Sequence, residues 1–301
     1  MSDPAVMHGP AQGGFTLVEA VLVMVVIGIL GASVAVFIRA PVQGYADAVV
    51  RAELLDVADL ALRRMARDLR LALPNSVRVN AAQDSIEFLL TRTGGRYLDA
   101  ADGVDSRPVL DFLDPTKTSF TVVGAMPTSA QLEPGHDYLV VNNLGADFPP
   151  ADAYAVSASQ RNIALIDGVD NATSTITLHD NPFAVQVPPV PSASRRFHVV
   201  SGPVSYYCGP ETSGPNLLTR QSGYPISASQ QSNPVAAGSS SGQRAVLAGR
   251  VASCKFEISS LATRRSALVL ITIELQPKMA ANAGPNATLR LVHQVHVENT
   301  P

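Results

Sequence analysis

The sequence predicts an α+β protein in which one long N-terminal helix packs on an antiparallel β-sheet head. Three observations predict it. The run GGFTLVEAVLVMVVIGILGASVAVFI, from Gly13 to Ile38, is apolar apart from a single carboxylate, Glu19. From there to Pro74 apolar residues recur every three or four positions, the period of a helix with one buried face. Beyond Pro74 that period gives way to short runs of branched and aromatic residues separated by Gly, Pro, Asn and Asp, the signature of strands and turns. A helical stripe and half-apolar strands bury one another as two layers.

Composition narrows the functional classes. The 301-residue chain carries a formal net charge of -3, with 46% hydrophobic and 16% charged residues. Such a chain can build a core, and nothing in its charge calls for a nucleic-acid partner. With Pro 22, Gly 21 and Trp 0, the folded part is expected to be rich in turns and poor in aromatic platforms for sugars or bases. The two cysteines, Cys208 and Cys254, fit neither a zinc site nor a CxxC redox pair.

The stretch from Phe15 to Ile38 would form roughly 36 Å of helix, against a hydrocarbon core of about 30 Å. It is long enough to span. A secretory signal has a basic start and an apolar region of only about 7–15 residues. The first fourteen residues here contain neither Lys nor Arg. Arg39 and Arg51 follow the segment, and by charge alone they favour the orientation opposite to an exported head. Glu19 is the informative residue, because an acid in bilayer hydrocarbon costs on the order of 2.5–3.5 kcal/mol and marks a functional position that needs a partner. No basic side chain lies within two turns of it. A cut between Gly14 and Phe15 would supply an ammonium group at the same depth. Meeting the Glu19 of a neighbouring chain, that group would set the axial register of two helices, with an attraction of roughly 4 kcal/mol before desolvation.

Gly14-Phe15-Thr16-Leu17-Val18-Glu19 resembles the prepilin cleavage motif of type IV pilins and type II secretion pseudopilins. The resemblance implies a pilin-like fold and a prepilin peptidase that removes residues 1–14 as a leader and N-methylates Phe15. It also implies that Glu19 guides docking into a helical filament. The chain would first sit in the inner membrane as a single-pass protein with its head in the periplasm, served by an inner-membrane assembly platform, and then join an extracellular pilus. The leader departs from the family pattern in having no Lys or Arg before the glycine, only Asp3 and His8. A start at Met7 would shorten the leader without adding a positive charge.

The helix is expected over residues 15–73, with 15–38 in the membrane. Pro41 and Gly44 predict a kink or local melting near the membrane exit. Leu54, Ala58, Ala61, Leu62, Met65 and Leu69 form the apolar stripe, and Asp59 with Arg63 and Arg64 with Asp68 are four-residue charge pairs on the other side. Arg63, Arg64, Arg67 and Arg70 read as a solvated, salt-bridged face in preference to a basic contact surface. The head occupies residues 74–301. Candidate strands are Ser85–Leu90, Ser119–Gly124, Asp137–Asn142, Asn162–Asp167, Ser174–Asp180, Arg195–Val200, Val204–Cys208, Val251–Ile258, Ala267–Leu275 and Thr288–Val297. Ala267–Leu275, the most apolar, is expected at the centre of the sheet. Residues 227–243 read as a flexible loop by composition. Outside the cytoplasm Cys208 and Cys254 are expected to form a disulfide, stabilising by about 4 kcal/mol in the chain-entropy model.

A wider likeness joins ADLALRRMARDLRLALPNSVRV, the YYC strand, SCKF and the closing HQVHVENTP. These resemble the MshO type of minor pilin from mannose-sensitive haemagglutinin pili, related to J-type minor pseudopilins and PilW-type pilins. That resemblance implies a low-abundance subunit of an initiating or tip complex, with other minor pilins and the major pilin as partners. No cofactor is implied.

Chemistry-bearing patterns are weak by comparison. His293 and His296, three apart on a strand, would point to opposite faces instead of sharing a metal. GSSSG, at 238–242, has neither the strand nor the helix of a nucleophile elbow. Asp99, Asp102 and Asp105, near Asp111 and Asp114, lack EF-hand spacing, so a calcium loop is the lesser reading beside a solvated one. No catalytic or metal-binding set is expected. Three classes of function follow, in descending order: a filament subunit, a tip-located adhesin or other ligand-binding pilin, and a membrane-anchored periplasmic enzyme.

Overall fold

The computed structural model describes residues 14–102, 106–155, 160–210, 216–236, 242–259, 266–276 and 288–300. The chain divides into two units, Met1–Ala52 and Glu53–Pro301. Helix α1 runs from Leu17 to Arg70 and stays helical through Pro41 and Gly44, with no melted turn. In the first unit it is apolar and exposed.

In the second unit, α1 buries the stripe read from its periodicity: Leu54, Ala58, Ala61, Leu62, Met65 and Leu69 are all buried. Asp59 and Arg63 pair at 2.7 Å on the exposed side. The expected Arg64–Asp68 pair gives way to another arrangement. Asp68 belongs to the buried face, where it accepts hydrogen bonds from the Tyr206 hydroxyl at 2.8 Å and Arg220 Nε at 2.8 Å. A carboxylate removed from water takes the donors that share its environment, and Arg64 is outside it.

Among the described residues the head's strands all pair antiparallel: β1 (Arg78–Val79), β2 (Ser85–Tyr97), β3 (Ser119–Val123), β4 (Tyr138–Val140), β5 (Ile163–Asp170), β6 (Thr175–Leu178), β7 (Arg196–Pro210), β8 (Asn216–Ser222), β9 (Gln243–Ser259), β10 (Ser266–Leu275) and β11 (Leu289–Glu298). The pairings β2–β3–β6–β5–β4–β7 return from β7 to β2, so these six strands close into a ring. Alternate residues fill it: Phe120 and Val122, Leu139 and Val141, Ala164 and Ile166, Ile176 and Leu178, Phe197 and Val199, with Tyr97. The two-residue spacing is that of one face of each strand turned inward. Gly95 of β2 makes room for a ring, since a Cβ there would stand 2.7 Å from the Phe197 side chain.

The other half of the head is an open sheet in the order β1-β2-β7-β8-β9-β10-β11. Strands β2 and β7 serve both halves. Near its start β7 pairs with β4 through Val200, Val199 and His198, and after Gly202 it pairs with β8 from Val204 to Pro210. Gly202 takes φ +102 at the turn-over between them, a conformation that side chains other than glycine rarely adopt. Arg195–Val200 and Val204–Cys208 are therefore one long strand bent at a glycine instead of two. Ala267–Leu275 is displaced from its expected centre: it forms most of β10, flanked by β9 and the edge strand β11. Its apolar character comes from Val269, Ile271, Ile273 and Leu275 facing the core, not from central position. Cys208 and Cys254 form a disulfide with Cα atoms 6.0 Å apart, joining β7 to β9 across β8.

Strand β8 has no counterpart among the expected strands, and residues 237–241 of the predicted loop lie outside the described residues. The part described is tied down. Gln221 of β8 accepts from Val235 N at 2.8 Å and donates to Asn233 Oδ1 at 2.6 Å, while Arg78 donates to the Ser227 and Ala228 carbonyls.

Candidate functional site

The site singled out by sequence is the start of α1. Gly14, Phe15 and Thr16 precede the first helical residue, Leu17. Thr16 caps the helix: its Oγ1 accepts from the Glu19 backbone N–H at 3.3 Å, and its carbonyl accepts from Ala20 N at 3.2 Å. Thr16 and Glu19 thus occupy the positions of a capping box, in which the acid also meets the positive end of the helix dipole. Glu19 lies about one helical turn along the chain from the Gly14–Phe15 bond. Phe15 is 73% exposed, so both atoms of the expected scissile bond lie on an open segment.

Behind this cap, as far as Ile38, the exposed side chains are hydrocarbon apart from Glu19 and Ser33, whose hydroxyl donates to the Ile29 carbonyl. Leu17, Val18, Leu22, Met24, Ile27 and Phe37 are each more than half exposed, and the most apolar window has a mean hydropathy of 2.9 with none of it buried. Water does not tolerate that surface, and a bilayer or a bundle of like helices does. Arg39 and Arg51 lie beyond the run and come no nearer to Glu19 along the helix.

Residues 9–35 match a family model described as the prokaryotic N-terminal methylation motif. The chain carries this methylation motif. The match supports the type IV pilin and pseudopilin superfamily, processing by prepilin peptidase, and assembly with other pilins. The motif and the apolar helix together fit membrane anchoring and incorporation into a pilus. No curated protein and no solved structure matches the chain.

The remaining candidates do not converge. Asp111 accepts from Lys117 Nζ at 2.6 Å and from the Leu113 and Asp114 amides, and the Lys117 bond holds its carboxyl below the usual range. Asp114 accepts from the Thr116 hydroxyl and amide, which lowers it as well. Asp102 pairs with Arg195, while Asp105 lies outside the described residues. These carboxylates are spent on protein donors. Among the described residues no group of three or more His, Cys, Asp or Glu side chains is placed to share a metal ion. His293 and His296 occupy β11 three apart, one partly buried and one exposed. Of GSSSG only Gly242 is described.

Two polar clusters escaped sequence reasoning. Besides Asp68–Tyr206–Arg220, Glu87 of β2 is buried and takes the Arg78 guanidinium, with Nε at 2.9 Å, together with the Tyr224 hydroxyl at 3.2 Å. Arg78 stacks 3.7 Å above the Tyr154 ring. Burial lifts the Glu87 carboxyl above its ordinary value of 4.5, outweighing the guanidinium. Arg78 and Glu87 are partners nine positions apart on β1 and β2, but Tyr206 and Tyr224 reach their carboxylates from more than 100 positions away, which no local spacing announces.

Proposed function

We propose that the chain is a minor pilin, cut after Gly14 and methylated at Phe15, which takes part in initiating or capping an MSHA-like type IV pilus. The observation that carries this reading is the conjunction of the methylation motif with a capped helix start whose exposed apolar run, as far as Ile38, has Glu19 as its one acid. Glu19 then acts on axial register: the new ammonium of one subunit meets the carboxylate of its neighbour, and the helix that loses a water-exposed apolar surface gains a defined stop. The large β-rich head limits how many copies a filament accommodates, which favours a low-abundance place over bulk polymer. A J-type minor pseudopilin shares each of these features and is the alternative; a tip-located adhesin would differ only in what its loops bind.

Mass spectrometry of the protein from cell membranes tests the first step. The expected N-terminus is N-methyl-Phe15, and an intact residue 1–14 segment on a functioning protein overturns the proposal. Glu19→Ala is expected to abolish filament formation while leaving the head folded, since Glu19 is exposed and belongs to the unit Met1–Ala52 and not to the head. Normal filaments that fail to adhere would favour the adhesin instead.

A further inference from the structure

A groove of about 680 Å³ opens in the second unit between the turn after α1 (residues 75–78), the loop 144–152 and the adjoining ends of β9 and β10. Hydrogen bonds hold its walls. In the loop the Ala151 carbonyl accepts from the Leu144 and Gly145 amides at 2.9 and 3.1 Å, and the Phe148 amide donates to the Gly145 carbonyl at 3.0 Å. Asn143 Nδ2 donates to the Pro74 carbonyl at 2.7 Å and Asn143 Oδ1 accepts from the Ala153 amide at 2.9 Å, which fastens the loop to the turn. Asn75 Nδ2 donates to the Asn299 carbonyl, just past β11, at 3.2 Å. A groove that is already shaped gives up little entropy when something enters it.

Its chemistry is one-sided. Phe148, 50% exposed, and Ile258, 36% exposed, give it apolar walls, and Asp147 and Asp152 line it as well. Asp147 is exposed and has no hydrogen-bond or ion-pair partner among the described residues. Asp152 Oδ1 accepts from the Tyr154 amide at 2.9 Å, and no cation pairs with this carboxylate among the described residues. Arg78, the one cation in the described lining, is committed elsewhere. Its Nε donates to Glu87 at 2.9 Å, Nη1 to the Ala228 carbonyl at 2.7 Å and Nη2 to the Ser227 carbonyl at 2.8 Å, and its guanidinium covers the Tyr154 ring at 3.7 Å. An anionic ligand therefore meets two carboxylates and no available cation. A sugar finds the face of Tyr154 already taken.

We propose that this groove binds an extended segment of another protein through an arginine or lysine side chain. The hydrocarbon stem of that side chain lies along Phe148 and Ile258, and its charged end meets Asp147 and Asp152. The groove is larger than one side chain, so the residues on either side of the cation are accommodated too. Carboxylates at its rim draw a basic segment in from solution, and binding weakens as salt rises. Every residue of the site belongs to the head, so the inference goes beyond the filament role and does not depend on it.

The full chain in detergent micelles, with 4-fluorophenylalanine in place of Phe148, tests this by fluorine NMR. The probe is the blocked peptide Ser-Leu-Arg-Leu-Ser, whose only charge is its guanidinium, compared with the same peptide carrying neutral citrulline in place of arginine. The arginine peptide is expected to move the Phe148 signal in a saturable way. The citrulline peptide should bind roughly fivefold more weakly, the scale of two partly exposed ion pairs. Asp147→Asn and Asp152→Asn together should abolish the difference between the two peptides, and each asparagine keeps an oxygen to accept a hydrogen bond. No shift with the arginine peptide, equal binding of the two peptides, or an equal shift with cadaverine alone each overturns the proposal. The comparison of peptides is made on the unaltered side chains of Asp147 and Asp152, so it decides the matter even where the double variant folds poorly.

Discussion

The two halves of the head solve the same problem differently. The six-stranded ring has no free edge among its own pairings and is filled by its own alternate residues, with Phe120 and Phe197 meeting edge-on at 5.6 Å. The open sheet needs help from outside itself: α1 covers one face, the Cys208–Cys254 bond staples β7 to β9, and Asp68 and Glu87 are buried charges that must be matched by donors from other elements. Closure satisfies backbone and core together, while an open layer has to be sealed piece by piece. Because β2 and β7 run through both halves, the difference in construction should not become a difference in stability, and the head is expected to unfold in one step.

The largest test of that expectation is Phe197→Ala. It leaves a cavity in the ring beside Gly95 and is expected to cost about 3–5 kcal/mol. Denaturation followed by two probes, one in the ring and one near β10, should show a single transition shifted as a whole; separate transitions would mean that the halves fold independently. Replacing Cys208 and Cys254 together by Ser is expected to remove up to about 4 kcal/mol, read as a lower melting temperature without reducing agent and no further drop with it. Asp68→Asn should cost less, about 2 kcal/mol, since it weakens two hydrogen bonds to a charged group and leaves Arg220 without a counter-charge. Protease sensitivity in the Leu54–Leu69 part of α1 would report that loss first.

The smallest effect is a slope. The folded head holds the Glu87 proton more tightly than the unfolded chain does, because burial raises the carboxyl above 4.5. Stability contributed by this group is therefore present at low pH and declines as pH rises from about that ordinary value through the raised one. Glu87→Gln, melted at closely spaced pH values across that interval, should show a flatter profile than the natural protein. An unchanged slope would assign the pH dependence to other groups.

Local patterns carried much of this molecule into view. The stripe from Leu54 to Leu69 needs only a period, and the strands at Ser85, Ser119, Ile163 and Thr175 need only branched residues between turn formers. The candidate site was legible for the same reason, since Gly14, Phe15, Thr16 and Glu19 lie within six consecutive residues. What stayed hidden has no short-range signal. Strand β8, NLLTRQS, is too polar to announce itself, because Thr219 and Gln221 are buried by hydrogen bonding and not by apolarity. The expected centre at Ala267–Leu275 confused apolarity with position, when a strand one place from the edge can be as apolar on its inner face as any other. Gly94-Gly95 was the overlooked clue to the ring, as two adjacent glycines in a strand signal a close approach of neighbouring backbone or rings.

Hydrophobic period, a contiguous motif and an odd carboxylate are properties of neighbouring residues, and they suffice to assign an exposed apolar helix, its cap and a β-rich head. Which strands meet, that six of them close on one another, and that Asp68 turns inward to Arg220 instead of outward to Arg64 are decided between residues far apart in the chain. Those outcomes depend on which donors and side chains share a dry interior once the chain has collapsed, and no local spacing encodes that.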